Sequence, residues 1–467
     1  MFWLDYADER DELPFLIDGV KKETLSYIQV FQQADRLFRH LSRGVVAILC
    51  QGNLETITGY VGGLRHKHVP LLLNNELSNK NLNRALNTYE VEYVFAPSFR
   101  TISQYKSEFE FENYKLWRRT APLNNAEIHE DLAVLIPTSG STGDPKCVRL
   151  SQRNLQSCTE SILNYLSLNS DRRAISLLPL HYSYGLSVLN IMMGVRGSYL
   201  LSGHSPISRQ FWNDIVEWRV TDLAAVPFVY ESLKRMRFSD DVLTTLKCVT
   251  QAGGRLAPAL SLHFHKIFTE HKISYFTMYG QTEASPRIAY LKPSDAVQKN
   301  GSVGKVIDIG AVDLDTSKGL KDEGELIYSG PNVCLGYAEA RPDLAKGDEF
   351  RGVLKTGDIA KIDKDGFIFI TGRLKRSVKV NDVTVSLDFI EATLQQQSFF
   401  SYVVGADNKI VIVVCKADKE EISRFVKREF DFPSSIWRIE HLDALPTTGV
   451  GKPDYMVLER LFIQDVR

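Results

Sequence analysis

The sequence lacks the features that mark membrane, secreted and nucleic-acid-binding proteins. It contains no apolar run of about eighteen residues, the length that a membrane-spanning helix needs. Its first residues, MFWLDYADERDELPF, are acidic and lack the basic region and apolar core of a signal peptide. No long basic stretch occurs, and the formal net charge is -1. These absences predict a cytoplasmic protein with no membrane span and no nucleic-acid partner.

Cysteine pairs are also missing, because the six cysteines are scattered and form no CxxC motif. Most lie in apolar stretches such as VVAILC and VIVVC. We therefore expect buried free thiols in a reducing compartment. The cysteines are Cys50, Cys147, Cys158, Cys248, Cys334 and Cys415.

A chain of 467 residues is too long for one compact domain. In its first part, short apolar runs alternate with amphipathic segments of helical length. This alternation predicts α/β layers with mainly parallel sheets. The predicted strands include residues 45–50, 93–96, 134–136, 174–178, 223–226, 246–249 and 274–278.

The sequence pattern changes after about residue 301, where short strands and turns, with a turn predicted at Asp365-Gly366, indicate a small β-rich subdomain. Beyond residue 372 the sequence predicts a hairpin that turns at Asp407-Asn408 and a helix with a capping box at Asp418 and Glu421. We therefore expect a large N-terminal domain of layered α/β subdomains over residues 1–372 and a small, mobile α+β domain over residues 373–467.

Residues 138–146, TSGSTGDPK, follow an apolar strand and are mostly hydroxylated residues, glycine and lysine. Glycine lets backbone N–H groups approach phosphate oxygens, while hydroxyl groups and a lysine add hydrogen bonds and charge. The segment is not a Walker A motif, because Lys146 follows Pro145 and not a glycine. The composition predicts a loop that binds a polyphosphate.

This loop resembles the phosphate loop of the adenylate-forming superfamily, which includes acyl-CoA synthetases, adenylation enzymes and luciferases. The resemblance implies that the loop contacts the phosphates of ATP. The residues concerned are Thr138, Ser139, Gly140, Ser141, Thr142, Gly143 and Lys146.

A second stretch, YGQTE, resembles the superfamily's YGxTE motif and comprises Tyr279, Gly280, Gln281, Thr282 and Glu283. Its aromatic ring is suited to stack on a base, its glycine permits close backbone approach, and its carboxylate is suited to hold Mg²⁺. The resemblance implies that Thr282 contacts the α-phosphate and that Glu283 binds the metal.

Further motifs follow in the order typical of the superfamily. Gly253, Gly254 and Arg255 resemble the segment that passes beside the adenine. Asp358 lies in a TGD motif whose aspartate takes both ribose hydroxyls, and Arg373 lies in a GR motif near the ribose.

Two lysines complete the resemblance. Lys375 falls at the implied hinge between the two domains. Lys452 matches the lysine near the C-terminus that bridges the acid and the α-phosphate, where it stabilises the charge of the transition state.

The acid pocket is implied by the segment PLHYSYG and by positions near the other motifs. Amino-acid-activating relatives usually carry an aspartate in this segment for the α-ammonium group, and none occurs here. We therefore expect an acid with an uncharged tail, aryl or aliphatic. The expected pocket residues are His181, Tyr182, Tyr184, Pro227 and Ser285. His181 is also a candidate catalytic residue, with a core histidine satisfied by its neighbours as the alternative.

One departure concerns the thiol acceptor, because Asp382 stands where the superfamily usually has glycine in the segment that lines the thiol channel. Its added negative charge is unfavourable for the phosphates of CoA and favours an acyl carrier protein. Both acceptors remain open.

Together these observations predict an AMP-forming ligase that uses ATP and Mg²⁺ to activate a carboxylic acid and transfers the acyl group to a phosphopantetheine thiol. The first alternative is a stand-alone enzyme that loads alanine or glycine onto a carrier protein. The second is a nucleotide-binding sensor without ligase activity. A P-loop NTPase that forms ADP is the third.

Overall fold

The computed structural model describes residues 1–5, 12–124, 127–138, 146–234, 236, 238–317, 323–380, 383–415, 419–430, 433–447 and 453–463. Over these ranges the helices are α1 (Tyr27–Phe38), α2 (Leu54–Arg65), α3 (Asn79–Thr88), α4 (Gln152–Leu166), α5 (Ser183–Val195), α6 (Arg209–Glu217), α7 (Pro227–Leu233), α8 (Asp240–Thr245), α9 (Pro258–Glu270), α10 (Leu387–Gln396), α11 (Lys419–Glu429) and α12 (Tyr455–Phe462). None of these helices is long and apolar enough to cross a membrane.

The strands of the same ranges are β1 (Pro14–Asp18), β2 (Glu23–Ser26), β3 (Val45–Cys50), β4 (Val69–Asn74), β5 (Tyr93–Pro97), β6 (Tyr105–Phe111), β7 (Tyr114–Arg119), β8 (Leu132–Pro137), β9 (Cys147–Ser151), β10 (Arg173–Ile175), β11 (Ser198–Leu201), β12 (Asp222–Ala225), β13 (Cys248–Gln251), β14 (Ser274–Tyr279), β15 (Ala289–Leu291), β16 (Lys305–Val306), β17 (Ala311–Asp315), β18 (Gly324–Ser329), β19 (Gly336–Ala338), β20 (Val353–Ile362), β21 (Ile368–Arg373), β22 (Ser377–Val380), β23 (Val383–Ser386), β24 (Ser401–Ala406), β25 (Lys409–Val414) and β26 (Trp437–His441).

Two large sheets form the body of the protein. The first has the strand order β16-β15-β14-β13-β12-β10-β11-β1-β2, and the second has the order β19-β9-β8-β4-β3-β5-β7-β6. The central pairs β10–β12, β12–β13 and β13–β14 of the first sheet are parallel, as are β3–β4, β3–β5 and β4–β8 of the second. The expected α/β architecture with mainly parallel central strands is confirmed.

Both faces of the central strands are covered, which explains their continuous apolar runs. Val46 and Ile48 of β3 join the core that α1, α2, α4 and α5 fill between the two sheets. Val45 and Leu49 point to the opposite face and pack with α3. The outer face of the first sheet is covered by α6, α7, α8 and α9.

Two predicted strands are shifted. The strand expected over 174–178 ends at Ile175, after which the chain leaves the sheet toward Pro179. The strand expected over 246–249 begins at Cys248, because Leu246 caps the short helix α8. Five of the six cysteines are buried as expected, and Cys415 is partly exposed.

A third sheet, with the antiparallel order β17-β18-β20-β21, confirms the β-rich segment expected after residue 301. The predicted turn at Asp365-Gly366 joins β20 to β21, and Gly366 has a φ of 84°, which favours glycine. The register of this hairpin places Asp358 opposite Arg373. The two predicted ribose-binding residues are therefore cross-strand neighbours.

Residues after 375 form two small sheets, β22-β23 and β24-β25-β26, with α10, α11 and α12. The hairpin predicted at Asp407-Asn408 is confirmed, since Ala406 pairs with Lys409 and Asn408 has a φ of 55°. Asp418, half of the predicted capping box, lies outside the described residues, whereas α11 begins at Lys419.

Arg376, directly after the predicted hinge, is buried in this C-terminal part. Its guanidinium donates to Asp388 and Glu391, and it stacks 3.5 Å from the centre of the Tyr455 ring. The Tyr455 hydroxyl donates to Glu391 over 2.8 Å. Burial raises the pKa of Glu391 to about 7, although the Arg376 cation acts in the opposite direction. The chain entering this part is thus tied to the helix that begins at Tyr455.

Arg149 of β9 anchors the short edge strand β19. Its side chain is fully buried and donates to the carbonyl groups of Leu335, Tyr337 and Gly347 over 3.1, 3.0 and 3.2 Å. It also donates to the Glu349 carboxylate over 2.5 Å. One arginine therefore satisfies several buried acceptors and fixes the backbone of Tyr337.

We expect Arg149→Met to lower the free energy of unfolding by about 3 kcal/mol, since it leaves buried carbonyl groups without donors. Differential scanning fluorimetry should record a lower unfolding temperature. The matched control is Arg153→Met, because Arg153 is exposed on α4 and its removal should leave the unfolding temperature unchanged. Equal unfolding temperatures for the two variants would contradict this anchoring role.

Candidate active site

The two ends of the predicted phosphate loop meet in a hairpin. Pro137 of β8 pairs with Cys147 of β9, and the amide of Thr138 donates to the carbonyl of Lys146 over 2.9 Å. Thr138 and Lys146 therefore lie side by side at the base of the loop. The other predicted loop residues, Ser139, Gly140, Ser141, Thr142 and Gly143, lie outside the described residues.

Tyr337 of β19 connects the loop to the predicted metal residue. The ammonium nitrogen of Lys146 lies 3.5 Å from the centre of the Tyr337 ring, which is a close cation–π contact. The Tyr337 hydroxyl donates to Oε1 of Glu283 over 2.8 Å. Burial raises the pKa of Tyr337, and the Glu283 carboxylate adds to the rise. The tyrosine is therefore neutral and holds a cation and a carboxylate on one side chain.

Thr282 and Glu283 belong to a 3₁₀ turn that follows β14. The Thr282 hydroxyl lies 3.0 Å from the hydroxyl of Ser183, the first residue of α5. The amide of Cys334 donates to the carbonyl of Glu283 over 2.8 Å, which ties the turn to the segment leading into β19. The turn is thus fixed between the two large sheets.

Gly280 shows why this turn requires glycine. A Cβ atom at this position would lie 1.9 Å from the carbonyl oxygen of Pro286, so any other residue would clash with the backbone. Beside it, the Gln281 side chain donates to the carbonyl of Thr356 over 3.3 Å. The YGQTE and TGD motifs therefore touch.

Asp358 is buried between the two other predicted nucleotide residues. Its Oδ2 accepts from the Tyr279 hydroxyl over 2.5 Å, and its Oδ1 accepts from Nε of Arg373 over 3.0 Å. Burial raises the pKa of Asp358, and the Arg373 guanidinium lowers it. Each carboxylate oxygen has a second lone pair, so the carboxylate can still accept one hydrogen bond from each of two hydroxyl groups.

The glycine pair lies against the predicted acid segment. Gly253 has a φ of 83°, and a Cβ there would lie 2.4 Å from the Tyr182 hydroxyl. A Cβ at Gly254 would lie 3.2 Å from the ring of Pro227. Four predicted residues therefore converge, and the glycines keep space open between them.

Arg255 follows this pair and faces the C-terminal part of the chain. Burial lowers the pKa of its guanidinium, while the carboxylates of Asp388 and Glu391 raise it. Its position beside the adenine stays a prediction.

His181 precedes α5 and is largely buried. Its Nδ1 is buried and has no hydrogen-bond partner among the described residues. Its catalytic role and the alternative of a core histidine both stay predictions. Burial lowers the pKa of the imidazole, although the Glu76 carboxylate acts in the opposite direction. The ring is therefore neutral near pH 7.

Two other expected pocket residues have structural partners. The Tyr184 hydroxyl is buried and lies 2.7 Å from the Thr250 hydroxyl, so this side chain bridges α5 and β13. The Ser285 hydroxyl donates to the carbonyl of Asn332 over 2.8 Å. Ser285 therefore supports the turn after Glu283 and does not present a free hydroxyl.

Three residues with predicted roles lie wholly or partly outside the described residues. Lys452 lies outside the described residues, and for Lys375 only the backbone is described, in a short 3₁₀ turn. Asp382 also lies outside the described ranges.

Tyr337, Ser183 and Arg149 were missed by the sequence analysis. Their partners are far apart in the chain, since Tyr337 and Glu283 are separated by 54 positions and Ser183 and Thr282 by 99. Near Tyr337 the sequence shows only a glycine-tyrosine pair, which does not indicate a functional role.

The residues present fit a magnesium-bound nucleotide. Glu283 is an oxygen ligand of the kind that Mg²⁺ prefers, and Thr138, Thr282 and Lys146 add hydroxyl donors and a cation for phosphate oxygens. At Gly253 the missing Cβ leaves room beside Tyr182. These groups suit a polyphosphate with its metal.

Comparison with solved structures identifies the fold. The fold matches O-succinylbenzoate CoA synthetase of Bacillus subtilis bound to its acyl-adenylate intermediate, with a TM-score of 0.78 and 22% identity over 100% of this chain and 98% of that chain. The same synthetase with ATP and a magnesium ion gives a TM-score of 0.76 at 23% identity over 97% and 98% of the two chains. The fold is that of the adenylate-forming enzymes, as the sequence predicted.

The family follows from sequence comparison. The profile described as AMP-binding enzyme matches residues 5–338, so the chain belongs to this family. Its relatives include the oxalate–CoA ligase of Saccharomyces cerevisiae, 24% identical over 90% of this chain and 87% of that protein. They also include the 2-succinylbenzoate–CoA ligase of Bacillus cereus, 26% identical over 91% of both. The predicted class, an AMP-forming ligase that activates a carboxylic acid, is confirmed.

We expect Tyr337→Phe to raise the KM for magnesium-ATP about 10-fold, because it removes a hydrogen bond to a carboxylate but keeps the ring beneath Lys146. Tyr337→Leu should have a larger effect, since it also removes the cation–π contact. Initial rates of acid-dependent pyrophosphate release at varied magnesium-ATP test both variants. An unchanged KM in Tyr337→Leu would contradict this positioning role.

Proposed function

We propose that this enzyme converts a carboxylic acid and ATP into an acyl-adenylate and pyrophosphate, and then transfers the acyl group to a thiol. The observation that carries the proposal is the position of Tyr337, which holds Lys146 and Glu283 together. The lysine of the phosphate loop and the carboxylate suited to bind a metal thus both contact the Tyr337 side chain.

In the first step, an oxygen of the acid's carboxylate attacks the α-phosphorus of ATP. The bond between the α-phosphorus and the bridging oxygen breaks, and pyrophosphate leaves with the electron pair. Lys146 and Thr138 bind the leaving phosphates, and the Thr282 hydroxyl holds the α-phosphate beside Ser183. Mg²⁺ held by Glu283 would neutralise charge on the phosphates.

Asp358 binds the ribose hydroxyl groups in this proposal. Tyr279 and Arg373 support it, because they fix both carboxylate oxygens and keep the buried group oriented. Gly253, Gly254 and Arg255 border the base, and the ring of Tyr279 forms the other side of its site.

The C-terminal part supplies Lys452 to the transition state in the same proposal. Residues 373–467 would act as the mobile domain and residues 1–372 as the nucleotide and acid domain, with Lys375 as the hinge. The contacts of Arg376 with Glu391 and Tyr455 support this division, since they tie the residue after the hinge to the segment that follows Lys452.

For the acid, we propose an aryl or aliphatic skeleton without an α-amino group. The pocket would be lined by His181, Tyr182 and Pro227, with Tyr184 and Ser285 as supports. The neutral imidazole of His181 offers no charge to an ammonium group. The names of the relatives point the same way, since oxalate and 2-succinylbenzoate carry no amino group.

CoA is the proposed thiol acceptor, because the relatives compared above are named CoA ligases. An acyl carrier protein is the alternative, and it rests on the negative charge of Asp382 beside the expected thiol channel. The two acceptors carry the same phosphopantetheine thiol, so only a direct comparison separates them.

The test measures AMP and pyrophosphate release across aryl, aliphatic and small amino acids, with CoA and a holo carrier protein in separate reactions. We expect acid-dependent AMP formation that stops when EDTA removes Mg²⁺. Lys452→Ala and Glu283→Gln should each lower kcat at least 100-fold, a loss of about 3 kcal/mol of transition-state stabilisation.

Lys427→Ala is the matched control for the lysine variant, because Lys427 is exposed on α11. It should retain the wild-type rate. Turnover only with amino acids would support the amino-acid-loading alternative, ADP formation would support an NTPase, and nucleotide binding without turnover would favour the sensor.

A further inference from the structure

Arg287 lies directly behind the proposed adenylation site. It follows the 3₁₀ turn that carries Thr282 and Glu283, and only 2% of the residue is exposed. Its backbone is fixed, because its amide donates to the carbonyl of Ala284 over 2.9 Å and its carbonyl accepts from the Asn332 side chain over 2.8 Å. The guanidinium is therefore held inside the protein and not at its surface.

The hydrogen bonds of this guanidinium are few and weak. Nη1 donates to the carbonyl of Pro286 over 3.2 Å, and Nη2 donates to the Ser187 hydroxyl over 3.3 Å. Nε has no partner among the described residues. The Tyr165 side chain is a further hydrogen-bond partner of the guanidinium. A guanidinium has five N–H donors and keeps its charge in proteins, so part of its donor capacity, Nε included, remains for another group.

The described surroundings of Arg287 contain no carboxylate that pairs with it. The ring of Tyr184 lies 4.7 Å away, and the neutral side chains of Tyr165 and Cys158 are its other close neighbours. Asp222 lines the same small cavity, but both its oxygens accept from Arg172 over 2.9 and 2.8 Å. A buried cation with this environment favours an anionic partner.

Helix α5 relates the cation to the reacting centre. Ser183 contacts Thr282, and Ser187, four residues further along the same face, contacts Arg287. One turn of helix rises about 5.4 Å. The guanidinium is thus about one turn deeper than the Thr282 hydroxyl, beside a small internal cavity between α4, α5 and the first sheet.

From this arrangement we propose that the acid substrate is a dicarboxylic acid. One carboxylate is activated beside Thr282, and the second is bound in the interior by Arg287, with Ser187 orienting the guanidinium. The inference rests on the proposed function and names the substrate class of the same site. A dicarboxylic acid differs from the acid with an uncharged tail that the sequence predicted. Arg287 also disfavours a substrate with an α-ammonium group at this end of the pocket, because two buried cations would repel each other.

The experiment measures kcat/KM for pyrophosphate release with matched pairs of acids. Each pair contains a short aliphatic or aryl dicarboxylic acid and its monomethyl ester, which has the same skeleton without the second charge. The wild-type enzyme should prefer the diacid. Arg287→Met should lower the diacid-to-ester ratio about 10- to 100-fold, the effect of losing hydrogen bonds to a charged group. Arg287→Lys should keep part of the preference, because it retains the charge but not the planar donors.

The ratio does not depend on how much of a variant is folded, so it separates recognition from stability. Ser187→Ala is a milder second variant and should lower the ratio several-fold. Arg196→Met is the matched control, since Arg196 is a buried arginine at the other end of α5 that donates to the carbonyl of Trp3. It should leave the ratio unchanged even where it lowers stability.

A wild-type ratio of one or less would overturn the inference. So would an unchanged ratio in Arg287→Met, or in Ser187→Ala if the first variant does not fold. In these cases turnover of the esters would support the proposed adenylation activity while contradicting the preference for dicarboxylic acids. Silence with every acid, diacids and esters included, would overturn the proposed function and the inference with it.

Discussion

The candidate active site depends on the contacts of one side chain, Tyr337. Its ring lies beneath Lys146 and its hydroxyl binds Glu283, so it fixes the distance between the phosphate loop and the turn after β14. These two segments belong to different large sheets, so local structure alone does not fix their relative positions. The backbone of Tyr337 is in turn held by Arg149, which is buried within the adjacent strand. The chemistry of the site therefore rests on an edge strand of only three residues, held by a buried cation.

Much of the fold could be predicted because its signals are local. Apolar runs covered on both faces indicated the parallel strands, and Asp365-Gly366 and Asp407-Asn408 indicated hairpin turns through their backbone preferences. The YGQTE and TGD motifs also indicated residues that the structure brings into contact. Tyr337 and Arg287 carried no such signal, since their partners lie 54 and 100 positions away. Their importance arises from tertiary contacts that no periodicity or short motif encodes.

The same limit explains the expected pocket residues that have other partners. Tyr184 and Ser285 lie in segments that the sequence assigned to the acid pocket, but their hydroxyl groups bind Thr250 and Asn332 and so stabilise the surrounding structure. A sequence shows that a polar residue is near a site, whereas only the fold shows whether its hydrogen bonds are already used. His181 is the opposite case, because its Nδ1 is buried without a partner among the described residues. Such a nitrogen is costly unless a ligand or water binds it.

Buried charges distinguish the proposed acid end of the site from the proposed nucleotide end. Around the nucleotide, opposite charges are paired within the protein, as Asp358 is with Arg373. At the proposed acid end, Asp222 is paired with Arg172, while Arg287 contacts aromatic, hydroxyl and thiol groups. A protein can keep an unpaired buried cation when an anionic substrate binds to it, because the ion pair then offsets the desolvation cost of the cation. The pocket would therefore select its substrate through the positive charge of Arg287, which has no carboxylate partner among the described residues. Its apolar walls would determine only the shape of the skeleton between the two carboxylates of the substrate.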